Sequence, residues 1–355
     1  MPIHQAGDTG SINRKETEMR PLPTKQLAKL GLALVTGLAL LGAWTAPATA
    51  QGVELRFGHV ATTDNPYHLA ALRFAELVAK RTDDKIKVTI FPNAQLGNER
   101  DLVEGLQLGT LNMAISANAP LSRYTEKVLL FDLPFLFRDN AHWDAVVDGP
   151  LGAQVMQEFN QHGFRAVGVF DGGWRSPYNS RRPITALDDI QGLKFRTMES
   201  PMHIAIYRAL GAMGVPMASS EQYSALEQGV VDGSDAPLTF YSQLKHYEVA
   251  KNLSPLPLFK LTVYLLISEK SYESLTPEQQ KIVDEAGKEA AAYAREKARE
   301  QEAKLKDQLK GEGVSVSKLK DGELERFVDV MRKTVWKEYE DKVGAENIER
   351  VLKVQ

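Results

Sequence analysis

Residues 192–237 constrain the fold of this chain more than any other stretch. A turn glycine leads into a short strand at 192–196, a helix is expected at 202–210, and a second short strand at 215–217. The next helix stops at Gly229 and is followed by an apolar pair and an Asp-Gly turn. This order, β-α-β-α-β, is typical of one half of an α/β domain.

Similar elements are predicted on both sides of this stretch. Strands are expected at 53–60, 86–90, 111–116, 164–170 and 260–268, and helices at 65–81, 98–108, 141–147 and 152–161. The first of these helices is expected to begin with Asn65 as its N-cap and Pro66 at the first helical position. Residues 129–137 are interpreted as a buried strand or an irregular core segment. A capping box with proline at the first helical position starts a long helix after Thr276, and its apolar stripe runs to about Lys310. The C-terminal residues 324–352 are predicted to be mostly helical.

A chain of 355 residues has room for two domains. Gly172 and Gly173 are a candidate hinge that ends the strand at 164–170, because adjacent glycines allow backbone rotation at low cost. We predict that domain I comprises 51–172 plus about 262–300, and that domain II comprises 173–261 plus about 301–355. The strand at 260–268 crosses back between them, and the long helix lies across both.

Residues 1–50 have the features of a secretory signal sequence. Two lysines precede a glycine-broken apolar run at 30–44, and Ala48 and Ala50 supply the small residues of a cleavage site. We predict cleavage near Ala50 and a true start at Met19, because the polar residues before it fit no signal. The alternative is a retained N-terminal anchor, for which the run is short.

Composition and motifs exclude several classes of protein. The formal net charge of −3 without a basic patch argues against a nucleic-acid partner. The absence of cysteine rules out a thiol nucleophile and a thiolate zinc site. The histidines are scattered, and the common nucleotide-binding, serine-hydrolase and metalloprotease motifs are missing. We therefore expect no metal, no cofactor and no enzymatic activity.

Arg196 is the sharpest candidate for a binding residue. It stands at the C-terminal end of a predicted strand, where open α/β sheets bind their ligands. Its guanidinium group can hold a carboxylate through two parallel hydrogen bonds. A structural salt bridge to Asp188 or Asp189 is the alternative.

Three further residues are candidates by position. Arg175 follows the double glycine and Trp174, so it could complete a carboxylate clamp, or it could be a solvated loop residue. Asp235 follows the Asp-Gly turn, where it could orient an arginine or accept a ligand hydroxyl, or cap a helix before Pro237. We include Trp174 among the binding candidates.

Several long motifs, in the same order, resemble one known family. They are Phe91-Pro92-Asn93-Ala94-Gln95-Leu96-Gly97 with Glu99, Leu133-Pro134-Phe135-Leu136-Phe137, Asn179-Ser180-Arg181-Arg182-Pro183-Ile184, Gly192-Leu193-Lys194-Phe195-Arg196 and Ala225-Leu226-Glu227-Gln228-Gly229-Val230-Val231-Asp232-Gly233. Across nearly the whole chain after residue 50, the sequence resembles the substrate-binding subunits of tripartite ATP-independent periplasmic (TRAP) transporters, of the DctP type.

The resemblance implies a two-domain periplasmic-binding-protein-like fold, with crossing hinge strands and a ligand in the cleft. It assigns the carboxylate contact to Arg196 and a supporting contact to Arg175. The wall of the first domain is assigned to His59, Glu99 and the region of Asn118.

The chain departs from the family pattern beside this site. Ser234-Asp235-Ala236-Pro237 replaces the usual Gln-Glu-Asn-Pro, so one common ligand-binding amide is lost at Ala236. Ser219 stands where many members have a larger residue, which predicts a roomier pocket.

The resemblance implies a periplasmic protein, which we expect to be a monomer, that captures an organic acid and delivers it to a TRAP membrane permease. The acid could be a monocarboxylate, a dicarboxylate or a sugar acid. The alternatives are a periplasmic enzyme acting on an organic acid, for which His59 and Glu99 are the only plausible bases, and a receptor that serves a signalling sensor.

Overall fold

The structure is a computed structural model and describes residues 52–355. The predicted signal sequence at 1–50 and its cleavage site lie outside these residues. No helix within 52–355 combines the length and the apolar character that a membrane span requires.

The strands of the described residues form a single mixed sheet. They are β1 (Val53–Gly58), β2 (Ile86–Phe91), β3 (Met113–Ala117), β4 (Phe164–Asn179), β5 (Lys194–Thr197), β6 (Met213–Pro216), β7 (Gly233–Ala236), β8 (Asn252–Leu253), β9 (Phe259–Ser268) and β10 (Ser315–Val316). The main order is β2-β1-β3-β9-β4-β7-β5-β6, and β8 joins β4 and β10 beside it.

The α-helices cover both faces of the sheet and the C-terminal part of the chain. They are α1 (Pro66–Arg81), α2 (Glu99–Leu108), α3 (Asn118–Leu121), α4 (Asn140–Val147), α5 (Pro150–Gln157), α6 (Pro201–Ala209), α7 (Gln222–Glu227), α8 (Leu238–Gln243), α9 (His246–Val249), α10 (Glu269–Glu273), α11 (Pro277–Gly311), α12 (Glu323–Met331), α13 (Lys337–Val343) and α14 (Ala345–Lys353). A π-helical turn at Arg332–Trp336 joins α12 to α13.

The stretch that the sequence singled out folds as β5-α6-β6-α7-β7. Strands β6, β5 and β7 are parallel neighbours, so Arg196 lies on the central strand of the three, beside Val215 and Ser234. Gly233 allows β7 to approach β4 closely, because a Cβ atom there would collide with the carbonyl group of Tyr178. This approach places Asp235 opposite Pro177 in an antiparallel pair.

Strand β4 links the two halves of the sheet. Its residues 164–175 pair with β9, and its residues 176–179 pair with β7. The prediction that the strand ends at residue 170 is wrong, because the chain passes through Gly172 and Gly173 as a bulge and continues to Asn179. Gly173 has a φ angle of 107°, a backbone conformation that glycine adopts without strain.

The helix starts follow the predicted capping chemistry. The Asn65 side chain accepts a hydrogen bond from the Tyr67 amide at the start of α1. Thr276 and Gln279 form the predicted reciprocal capping box at the start of α11. Helix α11 has 35 residues and packs against α1, β4 and α8, and thus against elements from both halves of the sheet.

The segment after α3 is irregular, which is one of the two predicted alternatives. Residues Glu126–Asp132 form a 3-10 helix whose apolar side chains are fully buried. Helix α13, in the C-terminal part of the chain, packs on this segment, while α12 packs on α6. These packing contacts do not locate a boundary between two domains, so the predicted domain boundaries remain predictions.

Candidate functional site

A cavity of about 220 Å³ lies where the two halves of the sheet meet. Tyr67 from α1 and Glu99 from α2 line one side, while Arg175 from β4 and Arg196 from β5 line the other. We call it the arginine cavity. Its volume is that of a site for a small metabolite rather than for a drug-sized ligand.

Arg196 is almost fully buried, at 5% exposure, yet it forms no ion pair with any carboxylate in residues 52–355. Its Nε and Nη2 atoms donate to the carbonyl oxygen of Met217, at 3.1 and 2.8 Å. The Nη1 group has no hydrogen-bond acceptor among the described residues. The alternative prediction, a salt bridge to Asp188 or Asp189, is wrong: Asp189 accepts from Thr185 instead.

Arg175 is equally buried, but it forms an ion pair with a carboxylate. Its Nε donates to Oδ2 of Asp235 at 2.5 Å, and its Nη2 donates to the Asp235 carbonyl oxygen. The Tyr207 hydroxyl donates to Oδ1 of the same carboxylate at 2.8 Å. Asp235 thus orients an arginine, as one of the predicted alternatives had it, and Arg175 is not a solvated loop residue.

The two arginines differ in their electrostatics. Burial disfavours the charge of Arg175, but the carboxylate of Asp235 outweighs this and raises the pKa of Arg175. Burial, and next the charge of Arg175, lower the pKa of Arg196 to about 10. Arg196 therefore remains charged at neutral pH, in a place where its charge is costly unless an anion joins it.

Glu99 contributes a carboxylate to the opposite side of the cavity. Its Oε2 accepts a hydrogen bond of 3.4 Å from the Ala117 amide, and Oε1 accepts none from residues 52–355. Burial raises the pKa of Glu99 to about 7, although the charges of Arg196 and Arg175 act in the opposite direction. Glu99 can accept a hydrogen bond from a ligand hydroxyl when it is ionised.

The structure brings only some of the predicted site residues together. Arg196, Arg175 and Glu99 line the arginine cavity, and Asp235 lies directly behind Arg175. Ser219 and Ala236, where the chain departs from the family pattern, also line the cavity.

The other three predicted residues lie elsewhere. His59 is buried and its Nε2 contacts Nδ1 of His68 at 3.0 Å, and neither ring lines the cavity. Asn118 donates to Oδ1 of Asp132 at 2.8 Å inside the core. Trp174 lines a separate, mainly apolar cavity of about 860 Å³. A binding role for these three stays a prediction that the geometry does not favour.

Sequence reasoning missed other residues of the wall. Tyr67 lines the cavity, as do Glu199 and Gln222, and none of the three is among the predicted binding residues. The Met217 carbonyl, which fixes Arg196, has no sequence signal, because any residue supplies a carbonyl. Within 52–355 no group of three His, Asp or Glu side chains is placed to hold a metal ion.

A second group of charges, buried or half-buried, lies around β4, β9 and α11 and is completely paired. The Nζ atom of Lys260 on β9 lies 3.3 Å from Oδ1 of Asp171, and it donates to Oδ1 of Asn140 at 2.6 Å. Arg299 of α11 bridges Asp171 and Asp144, at 2.8 and 2.7 Å. We call this the β4–α11 charge cluster. Burial lowers the pKa of Lys260, the one member whose side chain is completely inaccessible.

Comparison with known families decides what kind of protein carries this cavity. The family described as bacterial extracellular solute-binding protein, family 7 (DctP), matches residues 57–342. The chain belongs to this family. It is a family of solute-binding proteins and not of enzymes, so the prediction of a non-enzymatic binding protein of the DctP type is confirmed.

Individual solute-binding proteins match over nearly their whole length. A solute-binding protein of Verminephrobacter eiseniae is 35% identical over 340 residues, which cover 95% of this chain and 99% of that protein. The crystal structure of the sugar acid binding protein DctPAm of Advenella mimigardefordensis, in complex with galactonate, has a TM-score of 0.83 and 30% identity. That match covers 86% of this chain and 98% of the other chain.

A second solved structure gives the same result. A TRAP periplasmic solute binding protein of a Polaromonas species, bound to D-erythronate, has a TM-score of 0.82 and 31% identity, with 85% of this chain and 99% of that chain covered. These two solved structures confirm the predicted two-domain periplasmic-binding-protein-like fold.

Proposed function

We propose that this chain is the periplasmic substrate-binding subunit of a TRAP-type transporter. It captures an organic acid in the arginine cavity through a contact between Arg196 and the ligand carboxylate. It then presents the acid to a membrane permease.

The observation that carries this proposal is the state of Arg196. A buried guanidinium group with no carboxylate partner in residues 52–355 is costly, and an added carboxylate removes that cost. Both Arg196 and Arg175 keep an Nη1 group without a hydrogen-bond acceptor among the described residues. A ligand carboxylate between them would receive charge-assisted hydrogen bonds, which are about twice as strong as neutral ones.

The comparisons support the same function by analogy. The Advenella relative is a sugar acid binding protein in complex with galactonate, and the Polaromonas relative is bound to D-erythronate. Both ligands are organic acids with one carboxylate. The extracellular description of the family supports export to the periplasm.

The arrangement also supports closure on the ligand. The Nδ2 atom of Asn65, before α1, donates to Oε1 of Gln243, at the end of α8, at 2.7 Å. Arg100 of α2 lies 3.8 Å from Glu199, which follows β5. These contacts join the two sides of the cavity, and a ligand that touches both sides favours the closed state because only there are all its contacts made.

A thermal-shift screen of the purified protein against organic acids tests the function. A ligand that binds the folded state at a hundredfold excess over its dissociation constant adds about 2.7 kcal/mol to stability. We expect a clear rise in melting temperature with at least one acid, and none with the corresponding amide or alcohol. Equal shifts with acid and amide would contradict a carboxylate contact at Arg196.

A further inference from the structure

The charges of the arginine cavity restrict the ligand to a narrower class than organic acids in general. Resting on the proposed function, we propose that the ligand is a hydroxy acid with a single carboxylate. This carboxylate lies at Arg196, and a hydroxyl group of the ligand faces Glu99. Acids with a second carboxylate on the Glu99 side are rejected.

The cationic side of the cavity has room for one negative charge. Two cationic side chains line it, Arg175 and Arg196. The charge of Arg175 is met by Asp235 at 2.5 Å, whereas Arg196 has only the Met217 carbonyl group among residues 52–355. One ligand carboxylate completes this side.

The opposite side already carries negative charge. Glu99 and Glu199 both line the cavity, and the charge of Glu199 contributes to the raised pKa of Glu99, so the two carboxylates are close enough to repel each other. Glu199 has one cationic neighbour, Arg100, at 3.8 Å in an exposed pair that weakly neutralises it. A second ligand carboxylate here would meet like charge without a cation to offset it.

A hydroxyl group suits this side better than a carboxylate. The Oε1 atom of Glu99 accepts no hydrogen bond from residues 52–355, so it is available to a ligand O–H donor. The neighbouring polar side chains of the wall are neutral: Asn93, Asn98, Ser219, Ser220 and Gln222. The replacement of the usual asparagine by Ala236 adds no charge. The wall therefore fits hydroxyl groups and offers no lining cation on this side to offset a second anion.

A matched series of acids tests the proposal. The four-carbon set is D-erythronate, meso-tartrate, butyrate and succinate, and the six-carbon set is D-gluconate, D-glucarate, hexanoate and adipate. Each set varies the second carboxylate and the hydroxyl groups separately. Dissociation constants are measured by titration calorimetry at pH 8, where Glu99, with a pKa of about 7, is mostly ionised, on protein expressed from its full sequence and dialysed free of ligand.

We expect the hydroxy monoacid to bind at least tenfold more tightly than both its diacid and its deoxy counterpart in one or both sets. A diacid that binds as tightly as the monoacid would overturn the single-charge inference and leave the organic-acid function intact. Absence of binding by all eight acids would instead count against the organic-acid function itself.

Substitution of Glu99 supplies a second, independent readout. Glu99→Gln removes the charge and keeps the size, so we expect the preference for monoacid over diacid to fall at least fivefold. Glu104→Gln is the control, because Glu104 lies on the same helix with an exposed side chain outside the cavity. An unchanged preference in Glu99→Gln, with ligand binding retained, would overturn the role of Glu99.

Discussion

The arginine cavity and the β4–α11 charge cluster contain similar residues in opposite electrostatic states. In the cluster, the buried Lys260 and the half-buried Arg299 both contact Asp171, and no cation is left over. In the cavity, Arg175 has Asp235, but Arg196 has no carboxylate among the described residues. Burial of a charge is therefore no sign of a binding site by itself. The informative feature is a buried charge whose partner must come from outside the chain.

The largest effect on stability is expected from a substitution that breaks the β4–α11 charge cluster. Asp171→Ala would leave Lys260 buried with Asn140 as its remaining polar partner, while Arg299 keeps Asp144. Removing one partner of a buried ion pair costs about 3–5 kcal/mol, so the free energy of unfolding should fall by that amount in urea titrations. Asp148→Ala is the control, because this exposed partner of Arg295 should cost less than about 1 kcal/mol. Equal losses in the two variants would show that the cluster does not stabilise the fold as a buried network.

Removing the unpaired cation should act on binding instead. We expect Arg196→Ala to raise the dissociation constant for the organic acid at least 100-fold, which corresponds to about 2.7 kcal/mol, and to leave the melting temperature without ligand nearly unchanged. Arg196→Lys keeps the charge without the planar fork and should recover only part of the affinity. Wild-type affinity in Arg196→Ala, measured by calorimetry, would place the carboxylate elsewhere.

An intermediate effect should follow when Arg175 loses its carboxylate partner and is left in the same state as Arg196. Asp235→Asn keeps the shape of the side chain but removes the charge that meets Arg175, so we expect a loss of about 2 kcal/mol of stability. The cavity then holds two uncompensated cations. Diacids should bind better relative to monoacids than in the wild-type protein, and a preference that does not move would mean that Asp235 does not set the charge of the site.

The smallest effect is expected from pH. Burial, and next the charge of Arg196, lower the pKa of His246 to about 3. The unfolded chain protonates this histidine near pH 6.5, while the folded protein does not, so stability is full above pH 6.5 and falls as the pH drops from 6.5 toward 3. Between pH 7.5 and pH 6 we expect His246 to account for a loss of about 1 kcal/mol.

His246→Asn should reduce this pH dependence by the same amount. Arg196→Ala should leave it nearly unchanged, because burial, the larger cause, still holds the folded-state pKa of His246 below this pH range. Unfolding in urea at the two pH values measures both. A pH dependence in His246→Asn that is identical to that of the wild-type protein would exclude His246 as its source.

Local patterns predicted the elements of the fold well. The strand–helix order around Arg196, the Asn65 cap and the Thr276 capping box depend on neighbours within a few residues, and the structure contains them all. The end of β4 was predicted wrongly because that prediction also considered only neighbouring residues. Two adjacent glycines weaken a strand locally, but β4 continues past them to Asn179 because it pairs first with β9 and then with β7.

The candidate site was predicted in part. The position of Arg196 near the end of a strand could be inferred from sequence order, because strand ends in an open sheet face the ligand crevice. The partner of Arg175 is Asp235, which is 60 residues away along the chain, on β7. Only the pairing of β4 with β7 decides that Arg175 contacts this carboxylate and does not lie in a solvated loop. Trp174 has the same sequence context as Arg175, but it lines the other cavity, because adjacent residues of a strand point to opposite faces.

The sequence by itself determined the family, most of the secondary structure and the identity of the arginine to be tested. Those properties follow from side-chain chemistry and short-range spacing. The tertiary structure alone decided which buried charges are paired and which are not, because ion pairs form between residues that lie far apart in the chain and burial depends on every layer packed around them. The difference between Arg196 and Lys260, one without a carboxylate partner among residues 52–355 and the other beside Asp171, is of that kind.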